Sequence, residues 1–173
     1  MQVQYGTYRD IEAWMNLVEE LCGNFPGLET KESLTEHRET VLRFMKKEQA
    51  LCVKAGEEIA GVLLFSKGHN MICCLGVSPA YRRRRIASSL LTAALGQLDK
   101  TREITVSTFR ENDNKGTAPR ALYRKFGFTE DILIEEFGYP CQKFVLRPFC
   151  FTCTQIHTCM RRADTRDSDK ERD

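Results

Sequence analysis

No stretch of this 173-residue sequence approaches the roughly 20 consecutive apolar residues that a membrane-spanning helix needs, so no membrane role is expected. The first residues, Met1 to Trp14, lack the basic start and apolar run of a secretory signal. Charge of one sign is also missing. Lys plus Arg number 26 against 24 Asp plus Glu, a formal net charge of +2, too small an excess for a chain dedicated to nucleic acid. Internal repeats are absent. The eight cysteines, at positions 22, 52, 73, 74, 141, 150, 153 and 159, follow no framework spacing, and reduced thiols in a cytoplasmic protein are the expectation. Those before the tail sit mostly in apolar runs such as Leu51-Cys52-Val53 and Ile72-Cys73-Cys74-Leu75, where a thiol serves as a small hydrophobe filling the core.

What is present is the composition of a folded domain. Hydrophobic residues make up 42% and charged residues 29%, too apolar for a disordered chain. Ile11, Trp14, Met15, Val18 and Leu21 recur at helical spacing over 9–22, and Leu34, Val41, Leu42 and Met45 do so over 31–47, with a Gly- and Pro-containing loop between them. Runs 51–55 and 58–66 form a hairpin around Gly56-Glu57. Met71 to Val77 is apolar throughout, as expected of a strand covered on both faces. Residues 86–99 carry a helical stripe through Ala87, Leu91, Ala94 and Leu98. A strand over 103–109, a short helix over 119–126 capped by Gly127, and strands over 132–137 and 143–146 complete the pattern. The order is α-α-β-β-β-α-β-α-β-β, one mixed-sheet α/β domain over 1–148. Residues 149–173 are expected to form a disordered tail, since 161–173 hold five basic and five acidic residues and no large apolar side chain.

The most informative segment runs from Leu75 to Leu91. A strand enters a short turn at Pro79, and the turn leads directly into a helix. The first turn of a helix presents backbone N–H groups without partners, backed by the positive end of the macrodipole. Ala87, Ser88 and Ser89 are small enough for an anion to approach, and Arg82, Arg83, Arg84 and Arg85 add charge at the same place. The combination suits a pyrophosphate. Read alone, the four arginines equally fit a solvated basic turn, or attachment to nucleic-acid phosphates, for which no interleaved aromatics are present.

Here the sequence resembles the GNAT superfamily of N-acetyltransferases. The family pattern Val-x-Pro followed by Arg/Gln-x-x-Gly-x-Gly/Ala is met by Val77-Ser78-Pro79 and Arg82-Arg83-Arg84-Arg85-Ile86-Ala87. A second family element, a helix with a tyrosine that ends in Gly-Phe, is met by Leu122-Tyr123-Arg124-Lys125-Phe126-Gly127-Phe128. Arg85 departs from the pattern by standing where the family has glycine. If Arg85 adopts ordinary helical angles and points outward, acyl-CoA binding survives, aided by its charge; if the position demands positive φ, Arg85 weakens that binding, and Arg85→Gly tightens it.

The resemblance implies acetyl-CoA as co-substrate, with no metal, and direct attack by an amine in a ternary complex. It implies that Leu75 and Val77 offer backbone groups to the pantetheine arm, that Arg82 to Ser88, Ala87 among them, hold the pyrophosphate, and that Asn114 contacts the pantetheine. Tyr123 takes the place of the general acid that protonates the coenzyme A sulfur; its alternative is a packed core tyrosine. The glutamate that serves some members as base is replaced here by Met71. His69, two residues earlier, has a side chain suited to that role near neutral pH, and is equally read as a surface histidine in the turn Lys67-Gly68-His69-Asn70. Glu29 and Glu32 are candidates to attract a cationic amine. A small-molecule amine and a protein N-terminus both remain open as acceptor, as does a homodimer; nucleic acid and membrane are not expected partners.

In the tail, Cys150, Cys153, His157 and Cys159 could chemically bind zinc, but the one-residue gap between the last two suits a closed tetrahedral site poorly. The function class that competes with an enzyme is an acyl-CoA-binding sensor with little catalysis, favoured by Arg85 and by the missing strand glutamate.

Overall fold

A computed structural model of the chain describes residues 1–148; the tail expectations, including the zinc reading, lie outside the described residues. The apolar faces read from spacing become buried faces. Helix α1 (Ile11–Glu20) buries Ile11, Trp14, Met15, Leu17 and Val18. Helix α2 (Lys31–Lys46) starts at Thr30, whose hydroxyl accepts from the Ser33 N–H at 3.1 Å, and buries Val41 and Met45. Strands β2 (Ala50–Ala55), β3 (Glu58–Ser66) and β4 (Met71–Val77) follow, then α3 (Ile86–Leu95), β5 (Ile104–Phe109), α4 (Thr117–Lys125), β6 (Thr129–Glu136) and β7 (Tyr139–Leu146). A three-residue strand β1 (Val3–Tyr5), not expected from the sequence, precedes them and pairs antiparallel with β2.

The seven strands form one sheet in the order β1-β2-β3-β4-β5-β7-β6, antiparallel throughout except between β4 and β5. Helices α1 and α2 cover one face with a core that includes Trp14, Val41, Cys52 and Val62. Helix α3 and Tyr123 of α4 cover the other over Phe65, Leu90, Leu91 and Phe144. At Gly61 of β3 a Cβ would lie 2.6 Å from Ile86 Cγ2 and 3.2 Å from Leu90 Cδ1. Glycine is what lets α3 seat this closely.

Two irregularities open the middle of the sheet. The β3–β4 register shifts between Leu64/Phe65, which leaves Cys73 as an extra residue between Ile72 and Cys74. Parallel pairing of β4 with β5 is confined to Met71↔Thr105 and Ile72↔Val106. Beyond that point the two strands diverge, and the remainder of β4 has no main-chain partner on the β5 side. The expectation of a strand covered on both faces therefore fails. Cys73 is exposed, and Cys74, Leu75 and Val77 are only half-buried, because this stretch lines an open cleft. The core-filling role expected of the cysteines holds for Cys52 and Cys141, which are buried, and in part for Cys74, which packs against the α1/α2 core from the cleft wall, and not for Cys22 and Cys73.

Candidate active site

The divergence of β4 and β5 creates a cleft of about 1040 Å³ that is lined from both halves of the sheet. Leu75 and Val77 line it from β4, and Val106 and Thr108 from β5. The cleft is bounded at one end by the turn before α3. There Arg83 has φ +61° and Arg85 has φ +63° with ψ +11°, both left-handed. Arg85 thus occupies the conformation for which glycine is favoured, the condition under which its side chain is expected to hinder acyl-CoA. The first helical hydrogen bond of α3 runs from Ser89 N to the Arg85 carbonyl at 2.9 Å, so the amides of Ile86, Ala87 and Ser88 precede any intrahelical partner. Ala87 and Ser88 line the cleft beside them, as do Arg82, Arg83 and Arg85. Arg84 does not; its guanidinium lies 5.4 Å from the centroid of the Tyr81 ring.

Tyr123 on α4 also lines the cleft. Its ring is fixed by Phe128 and Phe144, with centroids 5.7 and 6.2 Å away. Burial, with Cys74 adding a smaller push, raises its phenol pKa well above the ordinary value, so it holds its proton at neutral pH. The ring is in the core, as the packed-tyrosine reading expects, and the side chain also reaches the cavity wall. Asn114 begins a one-turn 3-10 helix (Asn114–Gly116) between β5 and α4 and lines the same cleft.

His69 is not brought to this place. It lies in the exposed turn between β3 and β4, where its N–H donates to Ser66 Oγ at 3.2 Å, and it does not line the cleft. Glu29 and Glu32 are likewise exposed and off the cavity wall; Glu29 Oε1 accepts from the Gly27 N–H at 3.1 Å. The cleft draws its imidazole and its carboxylate from positions that sequence reasoning passed over. His37 of α2 reaches the wall, and burial lowers its pKa, which keeps the imidazole neutral. Glu136, at the end of β6, supplies a carboxylate there. No periodic signal marks either one: His37 falls within the charged run of a helix, and Glu136 within an acidic strand end. Among the described residues no group of three metal-ligating side chains is found, and no helix is long and apolar enough to cross a membrane.

The residues present fit an acyl-CoA: unpaired strand backbone along the cleft, helix-start amides and cationic side chains at one end, and a protonated phenol inside. Comparison with known proteins gives the family. The model of the acetyltransferase (GNAT) family matches residues 14–128, and the chain belongs to that family of acyltransferases. Among solved structures, a GNAT-family acetyltransferase from Bacillus cereus aligns at 21% identity and TM-score 0.65, covering 86% of this chain and 98% of that one. The ribosomal-protein-S18-alanine N-acetyltransferase of Escherichia coli aligns at 14% identity and TM-score 0.63, over 86% and 95% of the two chains. RimL, a ribosomal L7/L12 α-N-protein acetyltransferase solved with coenzyme A, aligns at 15% identity and TM-score 0.61, over 84% and 93%. At these identities the likeness is one of fold. The curated proteins give no significant match.

Proposed function

We propose that this protein is a cytoplasmic N-acetyltransferase that moves the acetyl group of acetyl-CoA to a primary amine by direct attack in a ternary complex. The observation that carries the reading is the junction of β4 and α3. A strand with free main-chain groups runs into a left-handed turn, and the turn opens a helix whose first amides line the same cleft. Leu75 and Val77 would bind the pantetheine arm through their backbones, with Asn114 on the facing loop. The amides from Arg82 to Ser88, with the side chains of Arg82 and Arg83, would hold the pyrophosphate. No metal is needed: the thioester carbonyl can be polarised by a main-chain N–H.

Tyr123, which lines the cleft, would give a proton to the departing sulfur. Replacement by phenylalanine keeps the ring between Phe128 and Phe144 and removes only the hydroxyl. Tyr123→Phe should therefore lower kcat by about 100-fold while the affinity for acetyl-CoA and the thermal midpoint stay close to wild type. Steady-state release of free coenzyme A, with calorimetric acetyl-CoA binding beside it, checks this; an unchanged kcat would remove Tyr123 from the mechanism.

A second reading, an acyl-CoA-responsive module with little catalysis, is favoured by one observation, the side chain that Arg85 carries at a glycine-type backbone position. Single-turnover assays over a panel of amines separate the two, because a pure binder releases no coenzyme A above the hydrolysis background.

A further inference from the structure

We infer that the α1/α2 side of the cleft takes a small primary monoamine carried on an apolar body, aromatic or branched aliphatic, with Glu136 drawing in its ammonium and His37 receiving its proton. The inference rests on the acetyl-transfer reading above and names the acceptor.

The walls decide the body of the acceptor. Leu21, Phe25 and Leu28 face the cleft from α1 and the loop after it, Phe44 from α2 and Leu64 from β3. On this side, among the described residues, only Asn24, His37 and Thr40 offer polar side chains, so a scaffold with many hydroxyls would leave some without partners, at a cost of about 1–3 kcal/mol for each unpaired group, whereas an apolar body gains from burial.

The charges decide the number of ammonium groups. Glu136 is the one acidic side chain lining the cleft among the described residues. Lys115 opposes it with a cation at the same end, its Nζ donating to the Gly23 carbonyl at 2.7 Å and lying 5.9 and 5.7 Å from the Phe109 and Tyr139 ring centroids. The nearby carboxylate of Asp113 is engaged elsewhere, accepting from the Tyr139 hydroxyl at 2.5 Å and from the Lys115 N–H at 2.8 Å. The thiols beside Glu136 add no charge: desolvation by the surrounding cleft wall, with the carboxylate as a smaller cause, pushes the partly solvent-facing Cys73 up to about 11, and the same causes raise Cys141. One carboxylate can balance one ammonium, and an acceptor with several would strand the others without partners.

The rim decides the size. Lys115 joins the loop after α1 to the β5–α4 loop. Phe137, in the β6–β7 turn, packs on Gly27, where a Cβ would stand 2.8 Å from the Phe137 Cβ. Two contacts thus tie the α1–α2 loop to the other half of the divided sheet, and these bridges over the cleft leave more room for a small amine than for an extended peptide.

The protons and bonds balance as follows. The ammonium gives one proton to the neutral imidazole of His37, directly or through water, and His37 passes it to solvent. The freed amine nitrogen forms a bond to the thioester carbonyl carbon, the carbon–sulfur bond breaks, and the sulfur takes the proton of Tyr123. The second proton leaving the nitrogen restores the phenol.

The test measures coenzyme A release by the purified full chain with 2-phenylethylamine and 3-methylbutylamine against spermidine, kanamycin and a hexapeptide with a free α-amine. Acetyl-CoA binding is followed by calorimetry in parallel. The monoamines should exceed the others in kcat/KM by at least about tenfold. Preference for a polycation or the peptide overturns the inference, as does acetyl-CoA binding with no monoamine accepted. Absence of acetyl-CoA binding would instead bring down the acetyl-transfer reading itself. Glu136→Gln should raise the monoamine KM about tenfold with the acetyl-CoA Kd unchanged. His37→Gln should lower kcat by about 100-fold with the monoamine KM held. An unmoved KM in the first variant, or an unmoved kcat in the second, removes that residue from the acceptor site.

Discussion

Arg85 carries a side chain where its backbone is suited to none. A left-handed conformation costs an ordinary L-residue about 1 kcal/mol or more, and Arg85 sits at φ +63° as the N-cap of α3. Arg85→Gly should raise stability by about 0.5–1 kcal/mol, the strain removed being partly offset by the greater freedom of glycine in the unfolded chain. It should also tighten acetyl-CoA binding by clearing the approach to the α3 amides. Chemical denaturation and calorimetry check both effects. Arg85→Ala is the control: it removes the charge and keeps the Cβ, and should gain neither. Binding to Arg85→Gly that is equal to or weaker than wild type would show that the guanidinium contributes more than the strain removes. This site was half legible in the sequence. The motif located the turn and the phenol of Tyr123, because both depend on local spacing. It could not locate His37 or Glu136, which reach one cavity only through the crossing of a helix and an edge strand far apart in the chain.

At the scale of elements, the boundaries read from periodicity stand close to those observed wherever a helix or strand buries one face. The failures have a physical pattern. Strand β1 is three residues long, too short to show alternation, and exists because β2 offers it a partner at Val3↔Val53. Strand β4 is apolar along its whole length, and an apolar run looks the same whether its second face meets protein or a ligand. Strand β6 leaves Ile132 and Leu133 about 60% exposed, as an edge strand can. The turn between β6 and β7 falls at Phe137 and Gly138, both with positive φ, which places Tyr139 and Pro140 in β7 rather than in the turn. Packing between elements makes its own prediction. Gly61→Ala would force α3 away from β3, since the nearest atom, Ile86 Cγ2, belongs to a short buried side chain with little room to yield. The substitution should cost about 1–3 kcal/mol in urea unfolding, and a cost near zero would mean that α3 does not seat as described.

The whole molecule is held at its β6 edge by charge as well as by pairing. Arg120, itself buried, reaches the Phe109 carbonyl at 3.2 Å, Gln142 Oε1 at 2.7 Å and Glu130 Oε1 at 2.8 Å. Arg124 donates through Nε to the same carboxylate at 3.0 Å. The Arg124 hydrogen bond, then the charge of Arg120, holds the Glu130 carboxyl below the ordinary glutamate value of 4.5. A carboxyl with its folded pKa depressed adds stability above its unfolded value and loses it as pH falls through the folded one. Stability should therefore fall as pH drops below about 4.5, and Glu130→Gln should lose less over that window than wild type, as measured by urea midpoints from neutral pH to about pH 3. The same sign applies to Asp113, held low by the Tyr139 hydroxyl and the Lys115 N–H.

The two residue pairs that join β4 to β5 leave the sheet short of main-chain partners at its centre, where most sheets are strongest. A co-substrate seated along β4 would supply some of the missing pairing, in effect as a temporary eighth strand. Folding and substrate supply are then linked by mass action, by about 2.7 kcal/mol when the ligand stands at 100 times its Kd. On the proposed reading, the gap that makes room for chemistry also makes the durability of the protein a gauge of how much acetyl donor surrounds it.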